Sequence, residues 1–212
     1  MNRVVYAIDN NPQYFDFLPI AEASWRRLGW PSLVAMVNTD AEPVCNAEFI
    51  HLRETRIKSG WAAMPARFLM ANHFSGLGPC DVLMTSDADA IALSAPWMDK
   101  AWELAHKGYM VSIAHDWSAW NVVAAWYLMA TVKTWRELLP WTLGELVTEY
   151  LEELQGSLGH SFDERFMHRD IYSHHKDRFR FILRPNGDRI NSQSLENICD
   201  IHCHIGPRVF EL

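Results

Sequence analysis

The sequence has few of the features that mark secreted or membrane-spanning proteins. It holds only 4 cysteines in 212 residues, too few for the disulfide framework of a small secreted domain. Its longest apolar stretch, residues 122–130, is less than half of the roughly 20 residues that a membrane-spanning helix needs. The start of the chain has neither the apolar core nor the cleavage site of a signal peptide. We therefore expect a cytoplasmic protein with no transmembrane segment.

Positive charge is also scarce. Nineteen Lys and Arg oppose 26 Asp and Glu, which leaves a net charge of −7 and argues against tight nonspecific binding to nucleic acid. A content of 49% apolar residues excludes intrinsic disorder. The chain has no repeat and no linker rich in Gly, Ser or Pro, so residues 1–212 are expected to form one domain.

Short apolar runs alternate with helical patterns along the chain. We predict strands over residues 4–8, 33–37, 81–85, 109–114, 122–128, 179–183 and 198–204. We predict a helix that begins at Pro12 behind Asn11 and ends before Gly29. Further helices are predicted over residues 62–74 and 132–139, after residue 96, and after capping boxes that begin at Thr142 and Ser161. This alternation predicts an α/β sandwich around a mixed, mostly parallel sheet, because continuous apolar strands need both faces covered.

Two carboxylates follow the third predicted strand. Asp87 and Asp89 stand one residue apart just beyond residues 81–85, and ligands of such sheets bind at the carboxyl ends of the strands. Carboxylate pairs hold Mg²⁺ or Mn²⁺, which in turn bind the oxygens of a nucleotide diphosphate. An Asp-x-Asp pair arises by chance on the order of once in such a chain, so its position carries the prediction. A helix cap or a solvated loop is the alternative role.

A second candidate for metal binding lies near the end of the chain. His202 and His204 share one face of the last predicted strand. One imidazole added to two carboxylates would favour Mn²⁺ over Mg²⁺. The alternative is a pair of structural histidines in a strand.

The order of these motifs resembles that of the GT-A fold glycosyltransferases, most nearly glycosyltransferase family 8. The similar segments are Ala-Ile-Asp-Asn-Asn-Pro-Gln-Tyr (7–14), Ala-Arg-Phe (66–68), Asp-Ala-Asp (87–89), Trp-Asn (120–121), Asp-Glu (163–164) and His-Cys-His-Ile-Gly-Pro-Arg (202–208). The resemblance covers nearly the whole chain in the order of the family. It implies a three-layer GT-A-like sandwich and transfer of a sugar from a nucleotide diphosphate donor, a UDP-sugar in the first instance, with retention of configuration.

The resemblance also implies roles for individual residues. The metal ligands would be Asp87, Asp89 and one of His202 and His204. The donor would be bound by Ala7, Asp9, Tyr14, Lys58, Arg67, Asp87, Ala88, Asn121, Gly206 and Arg208, with the basic side chains on the phosphates. Asp163, Glu164 and Asp116 would lie near the anomeric carbon.

Four departures from the family affect these roles. Glu164 stands where the family has Gln, no Gly follows Asn121, and Arg208 stands near the position of the family's Lys. The spacing from either His202 or His204 to Gly206 differs by one from that of the family, so the choice between the two histidines stays open. A carboxylate at position 164 could act as a nucleophile or as a base toward the acceptor, which leaves the stereochemistry open. Complementing the dipole of a helix N-terminus is the structural alternative for this residue.

Rival functions stay open beside this one. A nucleotidyltransferase would carry a Gly-rich basic loop after the first strand, where the sequence is Asp9-Asn10-Asn11-Pro12. A metal-dependent hydrolase would need further ligands near Asp9. Cys199 and Cys203 with the two histidines are too crowded on one strand to surround a zinc ion. The acceptor is left open among a glycan, a lipid, a protein, a nucleoside and a modified DNA base, and the oligomeric state is left open too.

Overall fold

The computed structural model describes residues 1–113, 123–124, 126–156 and 162–182, and the backbone of residues 200–202. In this part of the chain the strands are β1 (Asn2–Ile8), β2 (Ser32–Val37), β3 (Glu48–Leu52), β4 (Val82–Thr85), β5 (Ala90–Ala92), β6 (Met110–Ile113), β7 (Leu128–Thr131), β8 (Phe179–Ile182) and β9 (Asp200–His202). The helices are α1 (Pro12–Phe15), α2 (Leu18–Arg27), α3 (Ser59–Ala66), α4 (Met70–His73), α5 (Met98–His106), α6 (Val132–Leu138), α7 (Leu143–Glu149), α8 (Leu151–Gln155) and α9 (Phe162–Phe166).

Seven strands form one mixed sheet in the order β3-β2-β1-β4-β7-β6-β8. The strands from β3 to β4 are parallel, β7 runs antiparallel to both of its neighbours, and β8 is parallel to β6. Strands β5 and β9 form a separate antiparallel pair. The prediction of an α/β fold around a mostly parallel sheet is confirmed.

Both faces of the sheet are covered by hydrophobic cores. Along β1, Val5 belongs to one core, while Val4, Tyr6 and Ile8 belong to the other. Successive side chains of a strand point to opposite faces, so a strand buried on both sides must be apolar at every position. This explains why β1, β2 and β4 appear in the sequence as unbroken apolar runs.

Local signals set several element boundaries as predicted. The side chain of Asn11 caps α1 by accepting from the backbone of Gln13, and Pro12 follows at the first helical position. Beyond the end of α2, Gly29 has a φ of +85°, a conformation that Gly adopts without steric cost. Thr142 and Glu145 form the predicted capping box of α7. The predicted cap Ser161 lies outside the described residues.

Three predicted elements differ in the structure. The helix predicted from Pro12 to Gly29 is divided into α1 and α2 by a turn at residues 16–17. The strand predicted over 122–128 is wrong: β7 begins at Leu128, and residues 123–124 and 126–127 lie outside any strand. The side chains of Val123, Ala124 and Tyr127 are nevertheless buried, and Val123 and Tyr127 belong to the two hydrophobic cores. The helix predicted over 62–74 is divided by a 3-10 turn over Arg67–Leu69, which follows α3 and precedes α4.

Two short strands were not predicted from the sequence. β3 is a partly exposed edge strand whose polar Glu48 and His51 hide its alternation. β5 has only three residues. Within the described ranges no helix combines the length and the apolar character that crossing a membrane would demand.

Candidate functional site

A cavity of about 580 Å³ opens at the carboxyl ends of the parallel strands β1 and β4. Its position is the one that ligands take in open α/β sheets. The cavity is lined by Ala7, Ile8, Asp9, Asn11, Tyr14, Gly60, Trp61, Ala63, Met64, Arg67, Ser86, Asp87, Ala88, Asp89, Asp163 and Glu164.

One side of the cavity, the strand wall, consists of residues 7–9 and 86–89, at the ends of β1 and β4. The backbone N–H of Ser86 donates to the carbonyl of Val5 (3.0 Å), which extends the pairing of these strands into the loop. The N–H of Ala90 donates to the carbonyl of Asp87 (3.1 Å), closing a tight turn around the Asp-x-Asp pair. Asp89 is buried and Asp87 is partly exposed, so backbone hydrogen bonds hold both carboxylates at the cavity.

The loop after β1 adds a polar rim. The Oδ1 atom of Asp9 accepts from the backbone N–H of Asn11 (3.0 Å), an arrangement that turns the chain into α1. The pKa of the Tyr14 phenol is raised by burial and by the nearby carboxylates of Asp89 and Asp87. Tyr14 is therefore a neutral phenol at neutral pH, able to pack or to donate a hydrogen bond.

The opposite side, the helical wall, consists of Gly60, Trp61, Ala63, Met64 and Arg67 from α3 and the turn after it, with Asp163 and Glu164 from α9. The start of α3 is anchored by Asn38, a residue with the unusual φ of +57°. The Asn38 side chain accepts from the N–H of Glu54 (2.7 Å) and donates to the Ser59 hydroxyl (3.3 Å).

Arg67 joins the two walls. Its Nη1 atom is paired with the carboxylate of Asp87 in the strand wall, and its Nη2 atom donates to Asp163 in the helical wall over 2.6 Å. The arginine side chain is only 11% exposed. Burial alone would lower the pKa of Arg67, but the charges and hydrogen bonds of the two carboxylates outweigh burial and raise it above its usual value. The guanidinium is therefore permanently charged.

The strand wall offers two oxygen ligands for a hard cation. Asp87 and Asp89 both line the cavity, and carboxylate oxygens suit Mg²⁺ and Mn²⁺. Strand β9 pairs with β5 so that the backbone of His202 lies opposite Ala90, next to Asp89. Among the described residues no three His, Cys, Asp or Glu form a group that could hold a metal ion. Asp87 and Asp89 are of the ligand type that suits a divalent cation, and the side chains of His202 and His204, one of which is the predicted third ligand, lie outside what the structure describes.

The remaining predicted residues are distributed as follows. Ala7 and Ala88 line the cavity with the groups above. Lys58 is exposed just before α3 and outside the lining, with its ammonium 4.7 Å from the centroid of the Trp61 ring. Predicted residues outside the described part of the chain are Asp116, Asn121, His204, Gly206 and Arg208.

The prediction missed the face of α3. Met64, Ala63 and Gly60 precede Arg67 by three, four and seven residues, the spacing at which side chains share one face of a helix. Helical periodicity counted back from Arg67 would have found these three residues. Trp61 lies six residues before Arg67, which is not a spacing that places two side chains on one helical face. Only the tertiary structure showed that it lines the cavity.

Comparison with known proteins identifies the fold. No protein-family model and no curated protein matches the sequence. Among solved structures, an active-site variant of LgtC in which a glutamine is replaced by glutamate has a TM-score of 0.58 at 11% identity, over 97% of this chain and 88% of that one. Galactosyltransferase LgtC with donor and acceptor sugar analogues has a TM-score of 0.55 at 13% identity, over 98% and 88%.

A third similar structure is the glycosyltransferase GlyE of Streptococcus pneumoniae TIGR4. Its TM-score is 0.52 at 16% identity, and the match covers 86% of this chain but only 46% of GlyE. A cavity at the carboxyl ends of a mostly parallel sheet is typical of open-sheet α/β proteins. Within that class, the protein has the fold of the GT-A glycosyltransferases.

Proposed function

We propose that the protein is a metal-dependent glycosyltransferase that moves a sugar from a nucleotide diphosphate donor, a UDP-sugar in the first instance, to an acceptor. One observation carries the proposal. The cavity at the strand ends brings together Asp9, Arg67, Asp87, Asp89 and Asp163, which are scattered over more than 150 residues of sequence. The likeness to structures named as glycosyltransferases supports the same reaction class.

Charge in the cavity supports the requirement for a metal. The described lining holds five carboxylates, those of Asp9, Asp87, Asp89, Asp163 and Glu164, against the single guanidinium of Arg67. A diphosphate would be repelled from such a site unless further positive charge accompanied it. Mn²⁺ or Mg²⁺ held by Asp87, Asp89 and either His202 or His204 would supply that charge. When bound, the metal neutralises the charge that develops on the departing diphosphate.

The residues of the chain itself would divide the work between the two walls. Asp9 and Tyr14, at the rim of the strand wall, would contact the nucleoside. Arg67 would bind phosphate oxygens, because its rigid fork suits them as well as carboxylates. Asp163 and Glu164, on the facing helical wall, would contact the transferred sugar and accept a proton from the acceptor hydroxyl. Retention of configuration is proposed from the family resemblance.

Calorimetric titration tests the proposed donor and metal. The folded protein would be titrated with UDP, other nucleoside diphosphates and their sugar conjugates, with Mn²⁺, with Mg²⁺ and with a chelator. We expect one diphosphate series to bind, and to bind only with metal. If a folded sample binds none of them, the proposal is wrong and the shared fold serves another reaction, with a metal-dependent hydrolase tested next.

A further inference from the structure

Arg67 forms ion pairs with two carboxylates of the candidate site. The resemblance to family 8 assigns this arginine to the donor phosphates, but both of its terminal nitrogens are paired with protein oxygens, Nη1 with Asp87 and Nη2 with Asp163. The two carboxylates belong to opposite walls of the cavity. Arg67 and its partners are mostly buried, with side-chain exposures of 11%, 22% and 8%.

The two ion pairs of Arg67 reduce the repulsion among the carboxylates of the cavity. Five carboxylates line the described cavity, and like charges that share one partly buried site repel one another. A guanidinium that bridges one carboxylate from each wall offsets part of this negative charge and links the two walls. The same Asp87 carboxylate is one of the two candidate metal ligands in the strand wall. Arg67 and a divalent cation would therefore both draw on the negative charge of Asp87.

We propose that Arg67 is a resident counter-ion that competes with the divalent cation for Asp87 and turns to the donor diphosphate only when the cation has taken its place. The inference rests on the proposed function. In this arrangement Nη2 stays on Asp163 while the released Nη1 bonds a phosphate oxygen. The metal and the diphosphate then each increase the affinity of the protein for the other, because the diphosphate provides the partner that the displaced guanidinium has lost.

Thermodynamic linkage makes this competition measurable without any turnover. The metal alone has to displace Arg67 from Asp87, whereas the metal with a diphosphate does not leave the guanidinium without a partner. UDP should therefore strengthen Mn²⁺ binding, and Mn²⁺ should strengthen UDP binding by the same factor. Removing the positive charge of Arg67 should strengthen the binding of Mn²⁺ alone and reduce that factor.

The test is calorimetry of Mn²⁺ binding to the wild type and to Arg67→Gln, each with and without UDP. We expect Arg67→Gln to bind Mn²⁺ alone about tenfold more tightly, and the strengthening by UDP to fall about tenfold. Arg67→Lys, which keeps the charge, should stay closer to the wild type. Arg53→Gln removes an exposed arginine that is paired with Asp40 on the surface and should leave both quantities unchanged.

Two results would overturn the inference while the proposed function stands. In the first, the wild type binds Mn²⁺ with UDP, but Arg67→Gln leaves the affinity for Mn²⁺ alone unchanged, which would make Arg67 a phosphate contact only. In the second, Arg67→Gln weakens the binding of Mn²⁺ alone, which would make the arginine a support for the metal ligands. If the wild type binds neither Mn²⁺ nor UDP, the inference and the proposed function fail together.

Arg67→Gln leaves the buried Asp163 carboxylate without its partner and could prevent folding. The double variant Arg67→Gln/Asp163→Asn removes both charges and carries the same test. Its reference is Asp163→Asn, in which Arg67 can still pair with Asp87. The double variant should bind Mn²⁺ alone about tenfold more tightly than this reference; equal affinities would overturn the inference. Circular dichroism and thermal melting would establish that each variant is folded.

Discussion

The two walls of the cavity are built by different means. The strand wall is an extension of the parallel sheet, with the N–H of Ser86 bonded to the carbonyl of Val5 and buried core beneath both strands. The helical wall brings together residues as distant as Arg67 and Asp163, 96 positions apart, through side-chain ion pairs. Backbone pairing therefore positions the groups proposed to bind the metal and the donor, whereas side-chain pairing positions the groups proposed to act on the sugar. The predictions below perturb one wall at a time, or the packing beside it.

The largest effect is expected in the strand wall. Asp87→Asn and Asp89→Asn should each weaken metal-dependent UDP binding by more than about a hundredfold, because removing a direct ligand should exceed the loss caused by removing a supporting group. Calorimetry with and without Mn²⁺ measures the effect. Asp99→Asn, an exposed change on α5, is the matched control. If both site variants keep the wild-type affinity in folded samples, the metal assignment is wrong.

In the helical wall, Asp163→Asn should separate catalysis from binding. Turnover of the donor identified by calorimetry should fall about a hundredfold, since a positioned carboxylate contributes at least that much as a base or an electrostatic stabiliser. Metal-dependent UDP affinity should stay within about tenfold of the wild type, because the strand wall is intact. Asp177→Asn, on an exposed turn, should change neither quantity. Loss of UDP binding as severe as that of Asp87→Asn would show that the walls do not divide the work.

A smaller effect is expected on stability. Ile8 is 2% exposed at the end of β1, next to Asp9, whereas Ile20 on α2 is 52% exposed. Ile8→Val should lower the free energy of unfolding by about 0.5–1.5 kcal/mol, and Ile20→Val should change it by less than about 0.5 kcal/mol. Urea denaturation measures both. Equal changes in the two variants would contradict the view that the strand wall depends on the core beneath it.

The smallest effect concerns pH and the helices beside the helical wall. The Nε2 atom of His73 accepts from the backbone N–H of Leu143 (2.9 Å) at the start of α7. Burial lowers the pKa of His73 below its ordinary value of 6.5, against a smaller opposing effect of Glu145. The unfolded chain therefore binds the proton first as the pH falls, so this contribution is complete above about pH 6.5 and is lost at lower pH.

His73→Gln tests this contribution. The Gln side chain can still accept from Leu143 but cannot take up a proton, so stability should fall less between pH 7.5 and 5 than in the wild type. The difference should be under about 1 kcal/mol. Urea denaturation at several pH values provides the measurement. Parallel pH profiles for the two proteins would assign the acid sensitivity to other groups.

Much of the fold could be predicted because its signals are local. Asn11 and Pro12 mark the start of α1, and Gly29 follows the end of α2, since each satisfies a local backbone requirement. The prediction failed where burial arises without regular structure. Residues 122–128 are as apolar as a strand, yet the residues described before Leu128 are loop packed between layers, and hydrophobic pattern alone does not distinguish these two cases.

The candidate site also contains residues that the sequence could predict and residues that it could not. Asp87 and Asp89 could be predicted because a buried strand that ends in carboxylates places them at the ligand edge wherever the rest of the chain goes. Trp61 could not, because it lies six residues before Arg67, a spacing that does not by itself place both side chains on one cavity. Lys58 was predicted to bind the donor from its charge and lies beside the cavity, outside the lining. Its role stays a prediction.

By itself, the sequence determined the α/β class, the approximate ends of β1, β2 and β4, and the carboxylates that follow β4. These depend on interactions within one element or between neighbouring positions. Only the tertiary structure decided that Arg67 bridges Asp87 and Asp163 rather than remaining open to a ligand. Which carboxylate a buried guanidinium meets depends on how α9 packs beside α3, and the shared burial of distant segments sets that packing.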